Sequence, residues 1–128
     1  MLDASVVIEL LLNTPAGEAI AERVLDPDEQ LAAPYLLDVE VLQVLRRYAG
    51  TGDLDRERGS QAVTDLADLP VARYPHEPFL TRAWMLRDNL TAYDAMYVAL
   101  AEALDAELLT RDARLSAARG HAARIALV

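Results

Sequence analysis

Apolar residues fall in two kinds of run along this chain. Long runs with helical spacing, above all Ala4 to Leu12 and Thr91 to Leu104, alternate with short ones that suit buried strands: Leu31 to Ala33, Val71 to Tyr74, Glu107 to Leu109 and Ile125 to Val128. Met1 to Asp3 reads as the end of a further strand. Thr14 and Pro15 supply the cap and first position of a helix running to about Leu25, and Asp26-Pro27-Asp28 makes a turn. Pro34 opens a helix from Tyr35 to about Ala49 that stops at Gly50-Thr51-Gly52. Asp55 to Leu69 is another helix, ended by Pro70; Pro78 starts one to about Arg87, and a short one follows Asp112. Strands alternating with helices predict an α/β fold with a mainly parallel sheet. Active sites of such sheets lie beyond the carboxyl ends of the strands, where Asp3 and Asp112 fall.

Four carboxylates interrupt these apolar stretches: Asp3, Glu40, Asp94 and Asp112. A carboxylate taken out of water without a partner loses several kcal/mol, so it protonates or finds a cation. The chain has no lysine, and its twelve basic residues are all arginine. The counter-charge is therefore arginine or a bound metal, and oxygen-only ligands favour magnesium or manganese.

Structural readings stand beside the functional one. Asp3, Asp112 and the pair Thr91 and Asp94 suit helix caps. Glu40 shares a face with Leu37, Val41 and Val44 and has no basic residue three or four positions on, so a surface ion pair does not explain it. Asp38, two residues away on the same helix, turns from that face. All four acids together are harder to explain as caps than any one alone.

The 128 residues are read as one domain, 1–128, with 53% hydrophobic content. The absence of cysteine excludes disulfides, thiol catalysis and zinc-thiolate sites. Without a basic N-terminal region or a membrane-length apolar run, the expectation is a cytoplasmic protein with no membrane partner. A net charge of -9 argues against general nucleic-acid binding, though it leaves room for a metal-mediated nuclease.

Four segments in order resemble the PIN-domain ribonucleases of the VapC toxin family: Met1-Leu-Asp3-Ala-Ser5, Pro34 to Glu40 with Leu45-Arg46-Arg47, Leu90-Thr-Ala-Tyr-Asp94-Ala-Met-Tyr97, and Leu109-Thr110-Arg-Asp112-Ala-Arg-Leu115. The resemblance covers nearly the whole chain. It implies a PIN-like fold, a short mainly parallel central sheet flanked by helices on both faces. It makes Asp3, Glu40, Asp94 and Asp112 the catalytic and metal-binding quartet, with Ser5 and Thr110 as polar groups beside them. The activity implied is Mg2+- or Mn2+-dependent endoribonuclease cleavage by a metal-activated water, leaving a 5'-phosphate and a 3'-hydroxyl. Implied partners are RNA, a VapB-like antitoxin lying in a groove near the first helices, where Val6, Val7, Ile8, Leu10, Leu11 and Leu12 are apolar, and a second copy of the chain through Phe79 to Leu100. A larger toxin-antitoxin hetero-oligomer is implied with them. One departure is that only Met1 and Leu2 precede Asp3, which predicts a very short central strand.

Arg46, Arg47, Arg87, Arg111 and Arg114 flank these segments and suit phosphate. Arg87, Arg111 and Tyr93 are taken as the substrate-binding candidates. For Tyr93 and Trp84, core packing is the commoner use of such aromatics. His76 and His121 read as surface residues. A phosphoryl-acceptor enzyme is disfavoured because such sites use a lysine. The remaining alternative is a catalytically weak PIN-fold module that only engages its antitoxin, to be separated by whether manganese stabilises the fold.

Overall fold

The computed structural model describes residues 1–128. In chain order it comprises α1 (Ala4–Leu11), α2 (Pro15–Val24), β1 (Leu31–Pro34), α3 (Leu36–Thr51), α4 (Arg56–Asp68), β2 (Val71–Tyr74), a 3-10 turn (Glu77–Phe79), α5 (Leu80–Met85), α6 (Ala92–Leu104), β3 (Leu108–Thr110), α7 (Ala113–Ser116) and β4 (Ile125–Leu127). Strands β1 and β2 pair in parallel from Leu31 opposite Val71 to Pro34 opposite Tyr74. Strands β3 and β4 pair in parallel from Leu108 opposite Ile125 to Thr110 opposite Leu127.

The expected strand at Met1 to Asp3 is reduced to one parallel bridge, Leu2 opposite Leu109. The segment nevertheless joins the two strand pairs. The Leu2 N–H donates to the Ala32 carbonyl at 3.2 Å, the Asp3 N–H to Leu109 at 3.2 Å, and the Leu109 N–H to Met1 at 2.9 Å. The order across the molecule is β2, β1, Met1–Asp3, β3, β4. Because the named pairings are all parallel, the carboxyl ends of β1 and β3 and the end of the central segment share one edge.

The core runs through both strand pairs and every helix from α1 to α7. α6 presents seven consecutive buried residues, Ala95 to Ala101, which suits a helix covered on more than one side. Three of the seven are alanines, which let neighbouring backbone approach closely. α1 buries Val6, Val7, Ile8 and Leu11 in the core, while Leu10 and Leu11 also line an open cleft with Ala21, Leu25 and Leu69.

Several boundaries differ from the sequence reading, for local reasons. Pro34 ends β1 instead of opening a helix, and since it has no N–H, the next residue, Tyr35, donates to the Tyr74 carbonyl of β2 at 2.9 Å. The helix expected from Pro78 begins as a 3-10 turn, and α5 ends at Met85. α3 has no side-chain cap of its own, because Tyr35 has helical backbone angles. Its Leu36 N–H instead donates to His76 Nε2 at 2.9 Å, which requires a neutral ring with the proton on Nδ1. His76 is therefore half-buried and structural, which corrects the surface reading. His121 is also half-buried, with Nε2 3.1 Å from the Ala118 carbonyl. No single helix is long and apolar enough to cross a membrane.

The α1–α2 turn is the tightest junction near the site. Asn13 takes φ 50°, a conformation that asparagine tolerates better than most residues. Gly17 on α2 then packs on the backbone of α1, where an added Cβ would lie 2.0 Å from the Glu9 carbonyl oxygen. Gly17→Ala must push the two helices apart and is expected to destabilise the fold by about 3 kcal/mol. Urea denaturation measures this, and a variant as stable as the parent would disprove the close contact.

Candidate active site

Asp3 is the fixed point of the acid cluster. It ends the central segment, caps α1 and is only 6% exposed. Its Oδ1 accepts from the Ser5 hydroxyl at 2.6 Å and the Val6 N–H at 3.1 Å, and its Oδ2 accepts from the Thr110 hydroxyl. Ser5 Oγ also accepts from the Arg111 N–H at 2.9 Å, and Thr110 Oγ1 from the Asp112 N–H at 3.0 Å. The two hydroxyls thus lock the start of α1 to the chain entering α7.

The other three acids arrive from separate elements. The Asp112 carboxylate caps α7, accepting from the N–H groups of Arg114 at 2.8 Å and Leu115 at 3.4 Å. Asp94 sits in the first turn of α6, where its N–H donates to the Thr91 hydroxyl at 3.2 Å. Glu40 lies in the second turn of α3, and its Oε1 is sealed from solvent with no hydrogen-bond partner. Asp38 points elsewhere, as expected, with both oxygens accepting from Arg73 Nε.

These acids disturb one another. Burial raises the Asp3 carboxyl above its ordinary value, against the opposing pull of its hydrogen bonds. Burial also raises Glu40, and the charges of Asp94 and Asp3 add to it. Asp94 is raised by burial, then by Asp112 and Asp3. One patch of the edge therefore gathers the whole quartet.

The PIN domain family matches residues 1–120 of this chain. Ribonuclease VapC12 of Mycobacterium tuberculosis (strain ATCC 25618 / H37Rv) is 43% identical over 128 residues, covering 100% of this chain and 98% of the relative. Ribonuclease VapC1 of the same strain is 44% identical over 129 residues, with coverage of 100% and 96%. The chain belongs to the PIN-domain VapC ribonuclease family. The fold is likewise similar to that of a toxin-antitoxin complex from Klebsiella pneumoniae, with TM-score 0.64 and 21% identity over 91% of this chain and 88% of the other.

Divalent metal is the cofactor that PIN membership implies, and the donor chemistry here fits it. Four carboxylates repel one another, and one of them has a buried oxygen without a partner. The only ion pair with a quartet member is Arg114 to Asp112 at 3.8 Å, with Arg114 almost fully solvated. As the side chains lie, no three acidic or imidazole groups share a coordination sphere. An ion held by the quartet would therefore need its carboxylates rearranged from these positions.

The rim differs from the sequence reading. The Arg87 guanidinium stacks over Trp84, 4.6 Å from the ring centre, and donates to the Trp84 carbonyl at 3.0 Å. Arg111 is held by Glu9 at 3.4 Å and by the Val128 carbonyl at 3.1 Å. Neither reaches an acid of the quartet, whereas Arg114 draws Asp94 downward. Tyr93 and Trp84 are exposed, which corrects the expectation of core packing for both. Tyr97, given no role from sequence, is buried with its hydroxyl at the quartet; burial, then the Glu40 charge, pushes its phenol far up. Its place three residues beyond Asp94 on an otherwise apolar helix was the available signal.

Raised carboxyls give a signed prediction. Folded, Asp3, Glu40 and Asp94 hold protons that the unfolded chain releases, so their contribution to stability falls as pH climbs from the ordinary carboxylate range through their raised values. In EDTA, Asp94→Asn is expected to melt higher than the parent at neutral pH and to show a shallower decline with rising pH. Thermal melts across a pH series check both, and identical slopes in the two proteins would rule out the repulsion.

Proposed function

We propose that the chain is the endoribonuclease toxin of a toxin-antitoxin pair, cleaving RNA phosphodiester bonds with Mg2+ or Mn2+ held by Asp3, Glu40, Asp94 and Asp112. The observation that carries this reading is a buried Asp3, oriented by three donors, among acids whose one ion pair is the long contact of Asp112 with the solvated Arg114. Asp3 and Asp94 are the most direct ligands. Glu40 and Asp112 complete the set, and Ser5 and Thr110 keep Asp3 from turning away. A divalent ion, when bound, lowers the pKa of a water and takes up charge developing on the phosphate. The exposed Arg46, Arg47 and Arg114 offer forked donors to phosphate on a protein whose net charge otherwise repels RNA.

The relatives named as ribonucleases support the substrate class, and the complex from Klebsiella pneumoniae supports a VapB-like protein partner. Self-association through Phe79 to Leu100 belongs to the same proposal. Leu80, Trp84 and Met85 there are 56%, 67% and 61% exposed, a large apolar area for solvent to cover.

Incubating antitoxin-free protein with total cellular RNA in manganese, magnesium or EDTA tests the proposal. Cleavage is expected with either metal and absent in EDTA, and Asp94→Asn should lower it on the order of a hundredfold or more. Equal cleavage by parent and variant would mean a contaminating nuclease. Cleavage by neither would move the assignment to an antitoxin-binding module.

A further inference from the structure

Tyr97 is 2% exposed, and its ring fills the core between α6 and the elements beside it. The edge of that core is an unusual place for a hydroxyl, because phenylalanine would fill the same volume and leave no polar atom to satisfy. Tyr97 Oη faces the Glu40 carboxylate, Asp3 and the N–H of Ala4. Ala4 opens α1, so this N–H is one of the first-turn donors that find no partner within the helix.

Elimination assigns the phenolic proton. Ala4 offers a donor, which a phenol can only accept. Asp3 already accepts from Ser5, Val6 and Thr110 across its two oxygens. Glu40 is paired with no arginine, and its Oε1 is buried with no partner, as is Tyr97 Oη. A sealed hydroxyl and a sealed carboxylate oxygen, close enough for the Glu40 charge to act on the phenol, thus stand without a hydrogen bond between them. Rotation of Glu40 toward the phenol would pair the two.

We propose that Tyr97 is a positioning residue for Glu40: its hydroxyl donates to one carboxylate oxygen and holds the other free for the divalent cation. The role parallels that of Ser5 and Thr110 at Asp3, so Glu40, like Asp3, would have a hydroxyl of its own to orient it. Groups that orient a metal's ligands commonly alter its affinity tenfold to a hundredfold when removed. This inference rests on the metal-dependent reading above.

Titration calorimetry with Mn2+ on the full chain tests it, using the parent, Tyr97→Phe, Glu40→Gln and the double variant, alongside thermal melts in EDTA. Tyr97→Phe should melt near the parent without metal, bind Mn2+ about tenfold more weakly and lose kcat with little change in KM for RNA. In the Glu40→Gln background it should change Mn2+ affinity little, since the carboxylate it orients is gone. Tyr97→Met, a second hydroxyl-free side chain that packs adaptably, should reproduce the weakening if Tyr97→Phe folds poorly. Unchanged Mn2+ affinity in the folded single variants, or the same loss with and without Glu40, would overturn the proposal while leaving the metal site intact. A parent that binds no Mn2+ would overturn the metal-dependent reading itself, and this one with it.

Discussion

Three residues at the start of the described chain hold the architecture together. Strands β1 and β2 form one pair and β3 and β4 another, and only the backbone of Met1 to Asp3 bridges them. With so few ladder hydrogen bonds, the joint depends on packing: Leu2 is fully buried, and Val6, Val7 and Leu11 follow it into the core. The same constraint sets the site. The bridging segment is short, so its last residue emerges where the parallel strands end, and that residue is Asp3. Loosening the joint would shift the anchor of the quartet and the start of α1 at once.

The distribution of arginine explains why only one acid of the quartet, Asp112, has an ion pair, and that a long one to Arg114. Arg73 is spent on Asp38 and on the carbonyls closing α4, Arg82 grips both oxygens of Glu102, and Arg23 and Arg124 pair with Glu107 and Asp105. Arg58 lies against the Leu11 carbonyl, the last residue of α1. These bridges join elements away from the sheet edge. Surface pairs of this kind contribute little each, but they hold these arginines away from the four acids and leave Arg114 as the one arginine paired with any of them.

The helices were legible because their signals are local. Thr14-Pro15, Asp55 and Thr91 cap helices where the sequence placed them, and Gly52 closes α3 with φ 81°. The acids were legible for a related reason: a carboxylate among apolar residues is anomalous in one dimension as well as three. Contacts made across the chain were not legible. His76 looks like a turn residue until its ring is seen accepting from Leu36, forty positions away. Arg87 and Arg111 looked available beside their motifs, yet their nearest partners are Trp84 on one side and Glu9 and Val128 on the other. Tyr97 was hidden by its aromatic ring, which reads as core and is core, apart from one oxygen.

The capping and functional readings of the acids do not compete once the geometry is seen. Asp3 and Asp112 each cap a helix, and Asp94 stands in the first turn of one. In a parallel sheet, helices begin just past the carboxyl ends of strands, so helix N-termini and their partial positive charge converge there. That field offsets part of the repulsion among acids before any ion arrives. It also fixes the backbone of each acid to a rigid element instead of a loop. Glu40 is the exception, since it lies in the second turn of α3 and has no cap to orient it. A side chain without that local support needs help from elsewhere in the fold, and the buried oxygen of Tyr97 is the polar group that faces it.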